Sequence, residues 1–191
     1  MTATAPDVCC MVLAAGSSSR FGSDKRQALL PDGRTLLEAT LANIPPMFTQ
    51  RILVLHPGDG ELAAVHAGAW ETVIAASAAL GMGHSLAAGL ARCTSSTGVL
   101  VVLADMPAVQ PSTYTELARQ LCRDRIVLPR HGGKRGNPVG IGRDFFTDLG
   151  RPQGDQGARH LLREHPTAIL WVDCDDPGIL RDIDKPSDIG A

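Results

Sequence analysis

The chain carries almost no net charge: eighteen lysines and arginines face twenty aspartates and glutamates over 191 residues, a balance of −2. No global field therefore draws it to nucleic acid or to an anionic membrane surface. Lysine is scarce, three residues against fifteen arginines, so Lys25 stands out in a chain that otherwise takes its positive charge from arginine. The five cysteines form no C-x-x-C pair and no histidine-rich spacing, which argues against a metal cluster or a disulfide framework. Cys9 and Cys10 fall in an apolar run while Cys93, Cys122 and Cys174 are scattered, so buried free thiols are expected. No apolar run approaches the ~18 residues of a membrane span. The first residues lack the positive region of a secretory leader, so a cytoplasmic protein is expected.

No linker, internal repeat or charge block divides the sequence, and its length suits one domain over 1–191. Short β-type runs at 8–13, 51–55, 72–75, 99–103 and 126–128 alternate with helical patterns at 35–44, 61–68, 85–92 and 112–123. That rhythm predicts a Rossmann-like α/β fold, a doubly wound and mostly parallel sheet with helices on both faces. The run from Gly98 to Leu103 has no polar alternation and reads as a central strand buried on both sides. Beyond residue 136 the rhythm loosens. Strand candidates at 139–141, 168–172 and 180–183, with a helix after Gln156, read as a small mixed extension of the same sheet. Ligands in such folds sit beyond the carboxyl ends of the strands, so the loops after Leu13, Ala75 and Leu103 are expected on one edge.

The first of those loops is the most informative. An apolar run stops at Leu13-Ala14-Ala15-Gly16, passes through Ser17, Ser18 and Ser19, and ends on Arg20, Gly22 and Lys25. Small residues let the backbone turn and present its N–H groups, and two fixed cations stand within one loop, which suits a nucleoside triphosphate. It is not a P-loop: five residues separate Gly16 from Gly22, and no hydroxyl follows Lys25. Nor is it the dinucleotide fingerprint, because positions 16, 18 and 19 read Gly, Ser, Ser. The plain alternative is a Gly/Ser-rich connection with solvated cations. Asp105 follows the central strand in Leu-Ala-Asp-Met-Pro, well placed for Mg²⁺, unless it is a turn or capping aspartate ahead of Pro107. Asp182 and Asp184 alternate along the expected last strand and so share a face. No Ser-His-Asp or Cys-His set presents itself.

Residues 13–25 resemble the signature loop of the MobA-like NTP transferase family, nearest to its molybdenum cofactor cytidylyltransferase group. Further matching blocks are G-R-T-L-L-E (33–38), G-M-G-H-S-L-A-A-G-L (81–90), L-A-D-M-P (103–107), G-N-P-V (136–139), G-D-Q-G-A-R (154–159) and D-I-D-K-P-S-D-I (182–189). The resemblance implies a nucleotide-diphospho-sugar transferase-like fold and a Mg²⁺-dependent transfer of CMP from CTP to molybdopterin, with release of pyrophosphate. It implies a nucleotide site from Leu13, Ala14, Ala15, Gly16, Ser17, Ser18, Arg20, Gly22 and Lys25, joined by Gly81, Gly83 and Ser85. Lys25 and Arg20 would meet the phosphates, with Arg26 able to share that role if the loop is shifted by one. Metal would lie between Asp105 and either Asp184, the preferred residue, or Asp182, although Asp-Lys-Pro-Ser-Asp also reads as a turn with a helix cap at Ser187.

Asn137, Asp155 and Arg159 would shape the acceptor pocket. Relatives often carry histidine at the place of Asn137, and this departure argues against a proton-transfer role there. Ser85 is alternatively a helix N-cap, Asp155 a partner of a helix dipole, and Arg159 a surface residue. The resemblance places the second alanine of Leu-Ala-Ala-Gly closer to the cytidylyl than the guanylyl relatives, and implies that a molybdoenzyme would be the protein served. Three other readings compete: GTP or a sugar-phosphate acceptor, a non-catalytic cofactor carrier, and an NAD-dependent oxidoreductase using Glu38 as its ribose acid. The last is disfavoured because Glu38 falls within the first expected helix.

Overall fold

The computed structural model describes residues 7–16, 21–151 and 159–189. Four parallel strands form the amino-terminal half: β1 (Val8–Leu13), β2 (Gln50–Leu55), β3 (Glu71–Ile74) and β4 (Gly98–Leu103). β1 lies between β2 and β4, with Leu13 opposite Val54 on one side and Leu103 on the other. All six β1 residues are buried, as an apolar run without alternation requires. Val8, Cys10 and Val12 face one core layer and Cys9, Met11 and Leu13 the other, the period of two that a strand imposes.

The helices α1 (Leu36–Ala42), α2 (Gly60–His66), α3 (Met82–Leu90) and α4 (Pro111–Gln120) cover this sheet. Leu37 and Leu41 of α1 share one layer with Tyr114 and Leu117 of α4, while Leu86 and Leu90 of α3 pack in the other. Thr35 and Glu38 form a capping box that starts α1, so Glu38 is engaged with the helix end. α4 begins with proline at its first turn, where the missing N–H costs nothing. Its free amide ends are met from a distance, because the buried Asp176 carboxylate accepts from Gln110 N (2.9 Å) and Thr113 Oγ1 (2.6 Å).

Beyond α4 come β5 (Ile126–His131), β6 (Lys134–Arg135), β7 (Val139–Gly142), two short helices, α5 (Phe146–Leu149) and α6 (Arg159–Glu164), and β8 (Ile169–Asp173). The sheet order is β3-β2-β1-β4-β7-β5-β6, with β8 parallel to β5. β7 runs antiparallel between β4 and β5, which makes the extension mixed, as expected. Gly132 (φ +55°) and Gly133 (φ +77°) close the β5–β6 hairpin, a two-residue turn open to glycine at both places.

Four expectations need correction. The strand expected at 126–128 continues through Pro129 to His131, since β8 and β6 pair along that length. No strand forms at 180–183. A 3₁₀ turn at Pro177–Leu180 follows the Asp176 cap and sends the chain across the end of the sheet, with Ile183 N donating to Asp105 O at 3.0 Å. The helix expected at 85–92 starts at Met82, because Gly81 (φ +115°) turns the chain just before it. Of the thiols, Cys9, Cys10 and Cys93 are buried, but Cys122 is exposed and Cys174 only half-buried. No helix among the described residues is long and apolar enough to cross a membrane.

Gly178 sits where the Pro177–Leu180 turn crosses the loop after β4. A Cβ there would lie 2.1 Å from the Ala108 carbonyl oxygen, so backbone must move. Gly178→Ala is expected to cost about 2–3 kcal/mol and lower the thermal midpoint by about 5–10 °C. Gly60→Ala, with nothing within 4 Å, leaves the midpoint unchanged or raises it, and scanning calorimetry on both variants checks the contrast.

Candidate nucleotide and metal site

The carboxyl ends of the parallel strands open on one cleft of about 830 Å³. Its floor is the stretch from Leu13 to Gly16, and His56, Ala78, Ser85 and Asp105 stand around it. The sheet ladder fixes this floor beyond the strands themselves: Ala14 N donates to Val54 O (2.8 Å) and Ala104 N to Leu13 O (3.2 Å). From behind, α1 holds the loop that carries Asp105, through Thr40 Oγ1 to Ala104 O (3.0 Å) and Asn43 Nδ2 to Pro107 O (2.7 Å). The loops after Leu13, Ala75 and Leu103 therefore meet on one edge, as the strand rhythm predicts.

Lys25 reaches into the cleft from a 3₁₀ turn, Lys25–Gln27. Its ammonium donates to Asp105 Oδ2 at 2.6 Å, to Asp184 Oδ1 at 3.2 Å and to Ile183 O at 3.2 Å. Burial alone would lower its proton affinity; the hydrogen bonds and charges of Asp105 and then Asp184 outweigh that and hold the ammonium above its ordinary range. Lys25 thus stands charged between two carboxylates, one from the middle of the chain and one from near its end. Asp105 caps no helix, since α4 starts from Gln110.

Asp105 Oδ1 is buried and has no hydrogen-bond partner among the described residues. An orphaned carboxylate oxygen, with a second carboxylate on the same ammonium, fits a hard divalent cation. No group of three or more His, Cys, Asp or Glu side chains that could hold a metal occurs among the described residues. A two-carboxylate site of this kind suits a cation that takes its remaining ligands from water and phosphate oxygens, the usual habit of Mg²⁺.

Arg26 has a different task from the one the loop-shift alternative gave it. Its side chain is nearly buried at the edge of the same cleft. Nη1 donates to Ala14 O at 2.7 Å, Nε and Nη2 donate to Asp24 at 2.8 and 2.7 Å, and both Nη atoms reach Asp59. Asp59 in turn accepts from His56 N at 2.8 Å. Arg26 therefore ties the segment before Lys25 to the ends of β1 and β2, as a planar five-donor fork can and an ammonium cannot.

Of the other expected residues, Gly81 and Ser85 line the cleft, as do Asn137, Arg159 and both Asp182 and Asp184. Only Asp184 of the last pair touches Lys25, while Asp182 is exposed. Ser85 is buried within α3 and is not its N-cap, because Gly81 holds that place. Gly83 is buried inside the first turn of α3, and Gly22 (φ +81°) shapes the turn ahead of Lys25. Ser17, Ser18, Arg20 and Asp155 lie outside the described residues. The sequence reading missed His56, Asp59 and Asp176. The first two sit in His-Pro-Gly-Asp directly after β2, where the loop-end rule already pointed. Asp176 reads locally only as the cap of the Pro177–Leu180 turn, where it accepts from Gly178 N at 2.9 Å; its hold on the start of α4 has no local signal, since Thr113 and Gln110 are 63 and 66 residues away.

The family model described as MobA-like NTP transferase domain matches residues 10–178. A probable molybdenum cofactor guanylyltransferase of Chloroflexus aggregans is 32% identical over 176 residues, covering 85% of this chain and 78% of its own. A nicotine blue oxidoreductase of Paenarthrobacter nicotinovorans is 26% identical over 189 residues, covering 94% and 93%. Among solved structures, Rv0371c from Mycobacterium tuberculosis H37Rv is 31% identical with a TM-score of 0.77, covering 97% of this chain and 96% of that one. Rv0371c has also been solved in complex with manganese.

Arg26→Met leaves Asp59 and Asp24 without their cation and is expected to destabilise by about 3 kcal/mol, read by urea unfolding. The Arg26 hydrogen bond, working against burial, holds the Asp24 carboxyl below its ordinary 3.8. A lowered folded value means that this contribution is complete above pH 3.8 and is lost as pH falls through the lower one. The gap between Arg26→Met and the parent should therefore narrow only in strong acid, and a gap that narrows near neutrality would contradict the clamp.

Proposed function

The chain belongs to the MobA-like NTP transferase family, and we propose that it transfers CMP from CTP to a molybdopterin-type acceptor with release of pyrophosphate. The observation that carries this reading is one ammonium held between two carboxylates at the mouth of a nucleotide-sized cleft. Asp105 and Asp184 are the residues that would hold Mg²⁺, and the manganese complex of a 28%-identical structure supports a divalent cation in this setting. When bound, that ion neutralises charge on the phosphates. Asp182 would act from the cleft wall.

The acceptor is a phosphomonoester whose second pKa is about 6, so near neutrality it is already a nucleophile and needs no protein base. Its oxygen attacks the α-phosphorus; the new bond joins acceptor phosphate to nucleoside phosphate, the α–β bridge breaks, and pyrophosphate leaves with the electron pair. Lys25, with Arg20, neutralises charge developing on the α-phosphoryl and the leaving group. The Leu13–Gly16 floor with Ser17, Ser18 and Gly22 cradles the phosphates, while Gly81, Gly83 and Ser85 form the base and ribose side. Asn137, Asp155 and Arg159 would hold the acceptor. The second alanine of Leu-Ala-Ala-Gly resembles the cytidylyl more than the guanylyl relatives, and that supports CTP. The relative named as a guanylyltransferase supports GTP instead, so the base is the first point to test.

A second reading follows from the relative named nicotine blue oxidoreductase, namely hydride transfer within the same cleft. Against it, the acid that would serve a ribose, Glu38, is turned into the α1 capping box. Lys25 and its two carboxylates would also have no task in a hydride transfer.

Purified protein given molybdopterin and Mg²⁺ is expected to release pyrophosphate faster with CTP than with GTP. A preference for GTP replaces the cytidylyl reading with the guanylyl one. Oxidation of NADH or NADPH without pyrophosphate release overturns both. Lys25→Ala should lower turnover about 10³-fold while leaving the fold intact by circular dichroism. Undiminished Mg²⁺-dependent turnover in that variant removes Lys25 from the chemistry.

A further inference from the structure

Asp105 stands two residues beyond β4, so the sheet itself directs it into the cleft. Asp184 has no such support, because it follows the Pro177–Leu180 turn on a stretch that belongs to no strand. Contacts on either side of it hold that stretch instead. Just before Asp184, Ile183 N donates to Asp105 O at 3.0 Å, which ties the two acid-bearing segments together. Just after it the carboxylate of Asp188 takes over: Oδ2 accepts from Asp184 N at 3.0 Å and from Lys185 N at 2.8 Å.

Local sequence explains why Asp188 does this. Lys185 is extended (φ −133°, ψ +155°), as the residue before a proline tends to be, and Pro186 opens the 3₁₀ turn Pro186–Asp188. An acid at the third place of a helical turn can reach back to the amides in front of it. The cap is therefore Asp188 and not Ser187, whose Oγ reaches only the other carboxylate oxygen, at 3.5 Å. Asp188 does not line the cleft that holds Lys25, Asp105 and Asp184; it borders a separate hollow with Asp32, Arg34 and Arg181. Its effect on anything bound in the cleft must pass through the Asp184 backbone.

We propose that Asp188 is a positioning residue for the divalent cation: its hold on the Asp184 and Lys185 amides sets the place from which the Asp184 carboxylate meets Asp105. The proposal rests on the reading that Asp105 and Asp184 hold the cation. The physical reason is entropic. A carboxylate on a swinging stretch of chain must be ordered when an ion binds, and that ordering subtracts from affinity. With the backbone held on both sides of Asp184, little beyond its side-chain torsions is left to order. Partners that orient a ligating group without touching the metal are worth roughly 10- to 100-fold in metal affinity.

Mn²⁺ titrated into the protein without nucleotide, followed by loss of the free-ion electron paramagnetic resonance signal, reads the ion site apart from turnover. Asp188→Ala is expected to raise the Kd about 10-fold. Asp188→Asn keeps an oxygen acceptor without the charge and should recover most of that loss, while Ser187→Ala should change nothing. An unchanged Kd in Asp188→Ala overturns the proposal and leaves the metal reading of Asp105 and Asp184 intact. Equal losses in the Asn and Ala variants overturn it too, because the negative charge and not the amide contacts would then attract the ion, and so does a comparable loss in Ser187→Ala. A parent protein that takes up no Mn²⁺ removes the metal reading itself, and the proposal with it. Amide hydrogen exchange needs no ion: the Asp184 and Lys185 amides should be protected in the parent and exchange about 10-fold faster in Asp188→Ala. Unprotected amides in the parent overturn the hold even if the Ala variant fails to fold. In turnover, the Mg²⁺ concentration for half-maximal pyrophosphate release should rise about 10-fold in Asp188→Ala with kcat at saturating Mg²⁺ unchanged; a fall in kcat with no change in the Mg²⁺ requirement contradicts a positioning role.

Discussion

One cation between two carboxylates organises this molecule. Asp105 and Asp184 lie 80 and 159 residues from Lys25 along the chain, yet each brings a carboxylate oxygen within 3.2 Å of its ammonium. Two carboxylates placed that close repel, and each has lost part of its hydration, so the pair persists only with positive charge between or beside it. The ammonium supplies that charge here, and the buried, unpartnered Asp105 Oδ1 leaves demand for more. A site with this imbalance is built to receive a cation along with its ligand.

The neighbouring cation shows why lysine and arginine are not exchanged at this loop. Arg26 spends its donors on Ala14 O, Asp24 and Asp59, and these are fixed contacts that set the backbone path. Lys25, one residue earlier, keeps a compact charge at the end of a flexible stem, able to follow phosphate oxygens as they move. Rigid placement and a mobile charge are thus divided between adjacent residues.

The parallel half of the fold was legible because its evidence is local. Val8–Leu13 and Gly98–Leu103 are apolar without alternation, and strands buried on both faces must be so. Asp105 was legible for the same reason, as an acid placed directly after such a strand. The carboxy-terminal third was read less well. The stretch 180–183 alternates like a strand, but Asp176 satisfies the start of α4 and throws the chain into a 3₁₀ turn, so no edge remains for those residues to pair with. Ser85 resembles a cap until Gly81 takes the position with a backbone angle of +115° that serine rarely adopts.

From residue order alone came the alternation of strands and helices, the edge on which their loops gather, and the residue types present there. These follow from hydrophobic period and from chain connectivity, which act over a few residues at a time. Tertiary structure alone decided which acid meets Lys25, that Arg26 is a clamp, and that Asp176 holds the start of α4. Each of those outcomes depends on side chains far apart in sequence competing for the same few ångströms, and charge pairing over such distances has no signature in any local pattern.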